Sequence, residues 1–335
     1  MLLSPAILAL VLVSATVSLM LLLASGFAAQ LLRHWDLGSG SERQLVLERR
    51  TYLISTLLAW AFAAQLLSLL LFVYNAESLS GQFVGAMCAT GVLNVNGYGW
   101  PALYLKIALF FAGAVWLVLN HLDNQGRNYP LIRLKYRLLL LIAPLALAEF
   151  GLQLAHFLAM DPDVITSCCG SLFSSDAEGV AAELAGLSPA SALWSLLASA
   201  AALFAAGIYH GRNTQGGALF ALLSLAAFGV ALAAMVSFIA LYIYEHPHHH
   251  CPFCILKQGH DYVGYLLYLP LFAGTALALA ASLVSPWHRI PSLSQAVARM
   301  APRLTWVALG LFLCFYLLTA WVVLRSNLSM GGVWW

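Results

Sequence analysis

Eight stretches of about twenty or more apolar residues, separated by short polar breaks, leave this chain few options: each is long enough to cross a bilayer. They fall at about 5–32, 52–74, 101–120, 138–160, 188–209, 216–244, 262–285 and 304–324. Only 8% of the 335 residues are charged and 62% are apolar, against about 25% charged in a soluble domain. The surface is therefore composed for lipid, whose lack of hydrogen-bonding partners forces backbone into helices or closed barrels. The expected fold is an all-α integral membrane bundle of eight spans, a single polytopic membrane domain over 1–335. The longest break, about 161–187, is too short to hide a soluble domain, and no phosphate-cradling glycine loop, dinucleotide fingerprint or nucleic-acid motif is present.

Orientation is written in the basic residues. Arg33, Arg43, Arg49, Arg50, Arg127, Arg133, Lys135, Arg137, Arg212, Arg289, Arg299 and Arg303 all fall on one side of an eight-span arrangement, and the excess of basic residues marks the cytoplasmic face. They read as flanks that hold orientation. Lys106, Lys257 and Arg325 are the exceptions. Both termini are then expected to be extracytoplasmic. The first apolar stretch lacks a basic n-region and is about 28 residues long, so it reads as a retained span and not as a signal peptide.

With that topology the larger outside loops are 75–100, 161–187 and 245–261, and each carries cysteine. Cys88 lies in GAMCATGVLNVNGYGWP, a turn-rich segment; Cys168 and Cys169 are adjacent in DVITSCCGSLFSS; Cys251 and Cys254 lie in EHPHHHCPFCILKQGHDY. The sixth, Cys314, is midway along the last span and reads as a small membrane-embedded residue. Cysteine on the oxidising side points to disulfide chemistry.

Cys251 and Cys254 stand just before the seventh apolar run, which predicts a Cys-X-X-Cys pair at a helix start. Free N–H groups there would stabilise a thiolate. Such a pair can cycle between dithiol and disulfide and pass electrons to a second pair, drawn from Cys168, Cys169 and Cys88. At this point CPFCILKQ, followed by Tyr262, resembles the bacterial DsbB-like quinone reductases that form disulfides, whose plan the vitamin K epoxide reductases share. The resemblance implies that Cys251 and Cys254 exchange electrons with a bound quinone. It also implies that another cysteine pair serves a periplasmic thioredoxin-fold partner, with the chain in a bacterial inner membrane. Those families have a four- or five-helix core, and the region of Lys257 and Gln258 replaces the arginine that follows the DsbB motif.

The same loop also supports metal handling. His246, His248, His249 and His250 precede the two thiols, and imidazole with thiolate suits copper or zinc. The rival function is thus a soft-metal binding or transport subunit. A third reading is a structural subunit of a larger membrane complex with loops stapled by disulfides, although five outside cysteines leave one unpaired.

Within the spans, Glu149, Gln153 and His156 share one helical face, and Lys106 lies at a depth where it can pair with Glu149. Ionisable residues in a membrane are costly and face a bundle interior, so these four are candidates for quinone binding or proton delivery, or for polar packing between helices. His156 has no opposed histidine at matching depth and no Cys-X-X-Cys-His occurs, so haem is not expected. Redox exchange between outside thiols and a quinone or a partner protein is the leading expectation.

Overall fold

A computed structural model describes residues 4–36, 38–126, 128–161, 163–166 and 187–329. Eight helices are long and apolar enough to cross a membrane. They are α1 (Pro5–His34), α2 (Glu42–Leu79), α4 (Gly99–Asp123), α5 (Ile132–Leu158), α6 (Pro189–Asn213), α7 (Gly217–Tyr244), α8 (Val263–Val284) and α9 (Ser294–Arg325), with a five-residue helix α3 (Ala89–Leu93) in a loop. All eight expected spans are present, and several helices overrun them. Helix α2 starts at Glu42 and α9 at Ser294, about ten residues ahead of their apolar runs. Apolarity measures what lipid covers, whereas Glu42–Arg50 is made of good helix formers and adds an i,i+4 bond from Gln44 to Glu48 at 3.0 Å.

The helix ends follow their sequences. Pro5 and Pro189 occupy first-turn positions, where a missing N–H costs nothing. Ser188 caps α6 by accepting from the Ser191 N–H at 3.2 Å. Thr214 and Gly216 adopt left-handed conformations, φ 54° and 72°, and turn α6 directly into α7.

The chain forms two compact units. The first comprises Met1–Leu79, Leu93–Val164 and Trp287–Val297. In it α1, α2, α4 and α5 form a four-helix ring, each packed on its sequence neighbour and α5 closing on α1. Its apolar core includes Phe62, Trp116, Tyr136 and Leu139, while Trp60, Leu67 and Leu141 on the same helices point outward, as lipid requires.

At its centre Lys106 of α4 pairs with Glu149 of α5 at 2.7 Å, both at most 1% exposed, as their depth in the sequence predicts. Lys106 also donates to Ser68 of α2 at 2.7 Å and to Ser14 of α1 at 3.5 Å. Gln65 of α2 donates to Glu149 at 3.3 Å, and Gln153 donates to the Leu10 carbonyl at 3.4 Å. All four helices thus converge on one ion pair. A second pair, Lys135 with Asp123 at 2.8 Å, is equally buried and is completed by Asn120 at 3.0 Å. Lys135 is therefore not the solvated flank its position in the sequence indicates: its ammonium turns inward to the buried Asp123 carboxylate, which also accepts from the Leu131 N–H at 2.8 Å.

The second unit comprises Ser80–Val92, Ile165–Pro286 and Ala298–Trp335. Helix α7 packs between α6 and α8. Small residues bring α9 close: a Cβ on Gly207 of α6 would meet Leu309 at 2.5 Å, and one on Gly274 of α8 would meet the Ala308 carbonyl at 3.3 Å. Close approach through glycine is how helices associate without a hydrophobic drive in lipid. Within α7, Met235–Ile239 forms a π turn, a local widening common near functional sites.

Candidate functional site

In the second unit three loop cysteines meet. Cys88 immediately precedes α3, whose first turn is closed by a bond from the Gly91 N–H to the Cys88 carbonyl at 3.0 Å. Its loop is held by Thr166, whose N–H donates to the Val84 carbonyl at 3.0 Å and whose hydroxyl donates to the Gly91 carbonyl at 2.8 Å. That clasp requires glycine at position 85: φ is +84°, and a Cβ there would lie 2.0 Å from the Thr166 carbonyl oxygen.

Cys251 and Cys254 come from the loop between α7 and α8. Sequence placed them at the start of the seventh span, but α8 begins only at Val263. Cys254–Leu256 and Gln258–His260 form two short 3-10 turns instead. Asp261 and Tyr262, both left-handed at φ 52° and 54°, break these turns from the helix. The long helix therefore offers its N-terminal N–H groups nine residues beyond the second thiol.

The Sγ atoms of Cys88, Cys251 and Cys254 all lie within 4.8 Å of one another, with Cys88 and Cys251 at 3.2 Å. Their exposures are 0%, 2% and 8%, so water is nearly excluded. Tyr244 and Phe253 pack against them. The Tyr244 hydroxyl donates to the Cys251 carbonyl at 2.5 Å and the Tyr268 hydroxyl to the Pro252 carbonyl at 2.9 Å, fixing the Cys251 turn from two spans. Lys257 donates to the carbonyl of Met87, the residue before Cys88, which ties the two cysteine loops to each other.

Cys251 is the shared sulfur. It accepts from the Cys254 thiol, the Cys88 thiol and the Thr90 hydroxyl, the last at 3.4 Å, and these bonds hold its thiol well below the ordinary range although burial pulls the other way. The Cys254 thiol is held correspondingly high, first by the bond it gives to Cys251, then by Cys88 and by burial. The thiolate thus resides on Cys251. Its lowered value comes from hydrogen bonds to the charged form, not from a helix terminus.

A pH profile follows from that direction. Alkylation depends on the thiolate, so Cys251 labelling by a small uncharged reagent is expected to stay flat on acidification. Between about pH 8 and pH 6 an ordinary thiol slows by roughly 80-fold. Mass spectrometry of the labelled Cys251 peptide checks this, and a profile that falls like that of an ordinary thiol contradicts it.

The histidine tract is held by ring and backbone contacts. His250 bonds through Nδ1 to the Val236 carbonyl in the π turn of α7 at 3.0 Å, and His249 stacks on Tyr244 with centroids 3.9 Å apart. His246 and His248 face each other at 6.0 Å. Among the described residues, the group with ligand geometry is Cys88, Cys251 and Cys254; no histidine belongs to it. His249 and His250 tie the tract to Tyr244 and to the π turn of α7.

Tyr244 also meets His260 edge-on at 4.7 Å. His260 lines a cavity of about 300 Å³ whose walls include Tyr242, Glu245, Asp261, Trp321 and Arg325. Cys168 and Cys169 lie outside the described residues, and Cys314 is exposed on α9. In the first unit, Lys106, Glu149 and Gln153 form the network above. His156, on the same face, bonds instead to the Asn96 side chain at 2.8 Å.

Sequence reasoning identified the Cys-X-X-Cys pair but not the contact of Cys88 with Cys251, nor Thr90, Tyr244 and Tyr268. The distance along the chain gave no signal for that contact. Compared with known proteins, the chain matches no family model, no curated protein and no solved structure.

Proposed function

We propose that this chain is a membrane thiol/disulfide oxidoreductase in which Cys251 is the pivot, bonding alternately to Cys254 and to Cys88. The observation that carries the reading is the mutual contact of three buried sulfurs. Three cysteines cannot all pair, so any disulfide among them has a thiol against it, which is the minimal unit for exchange. In the internal step, Cys88 gives up its proton and its sulfur attacks Sγ of Cys251 in a Cys251–Cys254 disulfide. The old S–S bond breaks, Cys254 leaves as thiolate and takes up the proton that Cys88 gave, leaving a Cys88–Cys251 disulfide with no net redox change.

Turnover needs a donor and an acceptor. A substrate dithiol would be oxidised to its disulfide by a Cys168–Cys169 disulfide, which is thereby reduced to two thiols and re-forms as they reduce the Cys88–Cys251 disulfide; this vicinal pair follows the anchored Thr166 by two and three residues in sequence. The two electrons and two protons would leave the Cys251–Cys254 dithiol for a quinone, giving quinol, or reduce a partner protein's disulfide to a dithiol. The cavity beside His260 has the volume and the mix of rings and polar groups for a quinone head. The segregation of basic residues supports placing the cysteine loops on the extracytoplasmic side, in the manner of a bacterial inner-membrane enzyme.

The test uses full-length protein in liposomes with a dithiol peptide and a short-chain quinone. Quinol is expected to form in step with peptide disulfide, and Cys251→Ser is expected to abolish both. Dithiol and quinone that stay unchanged with wild-type protein would sink the quinone-coupled reading.

A further inference from the structure

We infer that the three thiols, when reduced together, form a three-coordinate site for one Cu(I) ion. This goes beyond the exchange chemistry and needs only that the trio be reducible, whether or not it turns over. Sulfurs held at about 2.3 Å from one ion in a trigonal plane stand about 4 Å apart. The Cys88 and Cys251 Sγ atoms stand 3.2 Å apart and no pair of the three exceeds 4.8 Å, so small side-chain shifts suffice to close on one ion.

The donor set selects the ion. Thiolates favour soft, monovalent copper, whereas zinc takes four ligands, or three and a water. Among the described residues no histidine or carboxylate joins the group, and exposures of 0%, 2% and 8% leave little access for a bound water. Binding converts the remaining thiols to thiolates and releases their protons. The Lys257 ammonium, bonded to the carbonyl next to Cys88, places one positive charge at the loop to offset the anionic centre. The ligand set therefore runs through Cys88 and not through the histidine tract.

The probe is Cu(I) itself, supplied anaerobically to reduced full-length protein from a chromophoric Cu(I) chelator. The Cys168→Ser/Cys169→Ser background removes the other vicinal thiols. One Cu(I) per chain is expected, with X-ray absorption at the copper edge showing sulfur neighbours only, three of them at about 2.3 Å. Cys88→Ser should weaken retention by about 100-fold or more, since even partners of metal ligands are worth 10- to 100-fold. His246→Asn/His248→Asn should leave stoichiometry and sulfur shell unchanged.

Failure to retain copper against the chelator would overturn the inference, as would a nitrogen-containing shell, or Zn(II) competing on equal terms. The absorption measurement on unsubstituted cysteines holds even if Cys88→Ser misfolds. Copper uptake without quinol production would leave this site standing and remove the quinone reading; quinol production without copper uptake would do the reverse.

Discussion

Cys251→Ser is expected to slow the proposed thiol exchange by at least about 1,000-fold, the scale on which loss of a nucleophile is felt, while its two neighbours are expected to give different products. With Cys251 gone, the thiolate and the sulfur common to both internal disulfides are lost together. Cys254→Ser retains the 3.2 Å approach of Cys88 to Cys251 and is expected to stop after one oxidation with those two joined. Cys88→Ser is expected to stop with Cys251 joined to Cys254. Cys314→Ser, exposed on α9, should leave exchange unchanged. Rates from dithiol-peptide oxidation and products from mass spectrometry separate the four variants; equal losses at Cys88, Cys251 and Cys254 with no trapped disulfide would contradict a pivot.

The second large effect lies in the first unit. Lys106→Met leaves the Glu149 carboxylate, at 1% exposure, inside a bundle where the remaining donor to it is Gln65 at 3.3 Å. Breaking a buried pair by removing one partner costs about 3–5 kcal/mol, because the other charge stays uncompensated. Replacing both by apolar residues of similar size is often neutral, so Lys106→Met/Glu149→Leu should recover most of that loss. Reversible unfolding in mixed detergent micelles measures both. A single variant within about 1 kcal/mol of wild type, or a double variant no better than the single, would show that the pair does not hold the four helices together.

What the sequence discloses depends on how local the determining physics is. Lipid acts on every residue of a span, so the eight spans are legible from hydropathy alone. Their extensions at Glu42 and Ser294 are not, because helix propensity continues where apolarity stops. Lys106 with Glu149 is legible, since a charge placed mid-span needs a partner at matching depth. Lys135 with Asp123 is not, because charges near helix ends look like flanks whether they face water or one another.

In the cysteine site the Cys-X-X-Cys spacing announces a pair, yet Cys88 joins it from 163 residues away along the chain. That meeting depends on how Gly85 and Thr166 clasp one loop and how Tyr244, Tyr268 and His250 pin the other. The histidines drew attention by composition, but the rings of His249 and His250 are committed to Tyr244 and to the Val236 carbonyl. Tertiary contacts that a tract's composition cannot express decide its role.

If Cys88, Cys251 and Cys254 act as one exchange unit, the disulfides among them interconvert. The direct measurement is disulfide mapping of full-length protein equilibrated across a series of thiol redox buffers, acid-quenched, alkylated and digested. Cys88–Cys251 and Cys251–Cys254 linked peptides are expected in the same sample at intermediate potential, with all three cysteines alkylated at the reducing end. A single fixed disulfide at every potential, or a Cys88–Cys254 link with Cys251 always free, would contradict it.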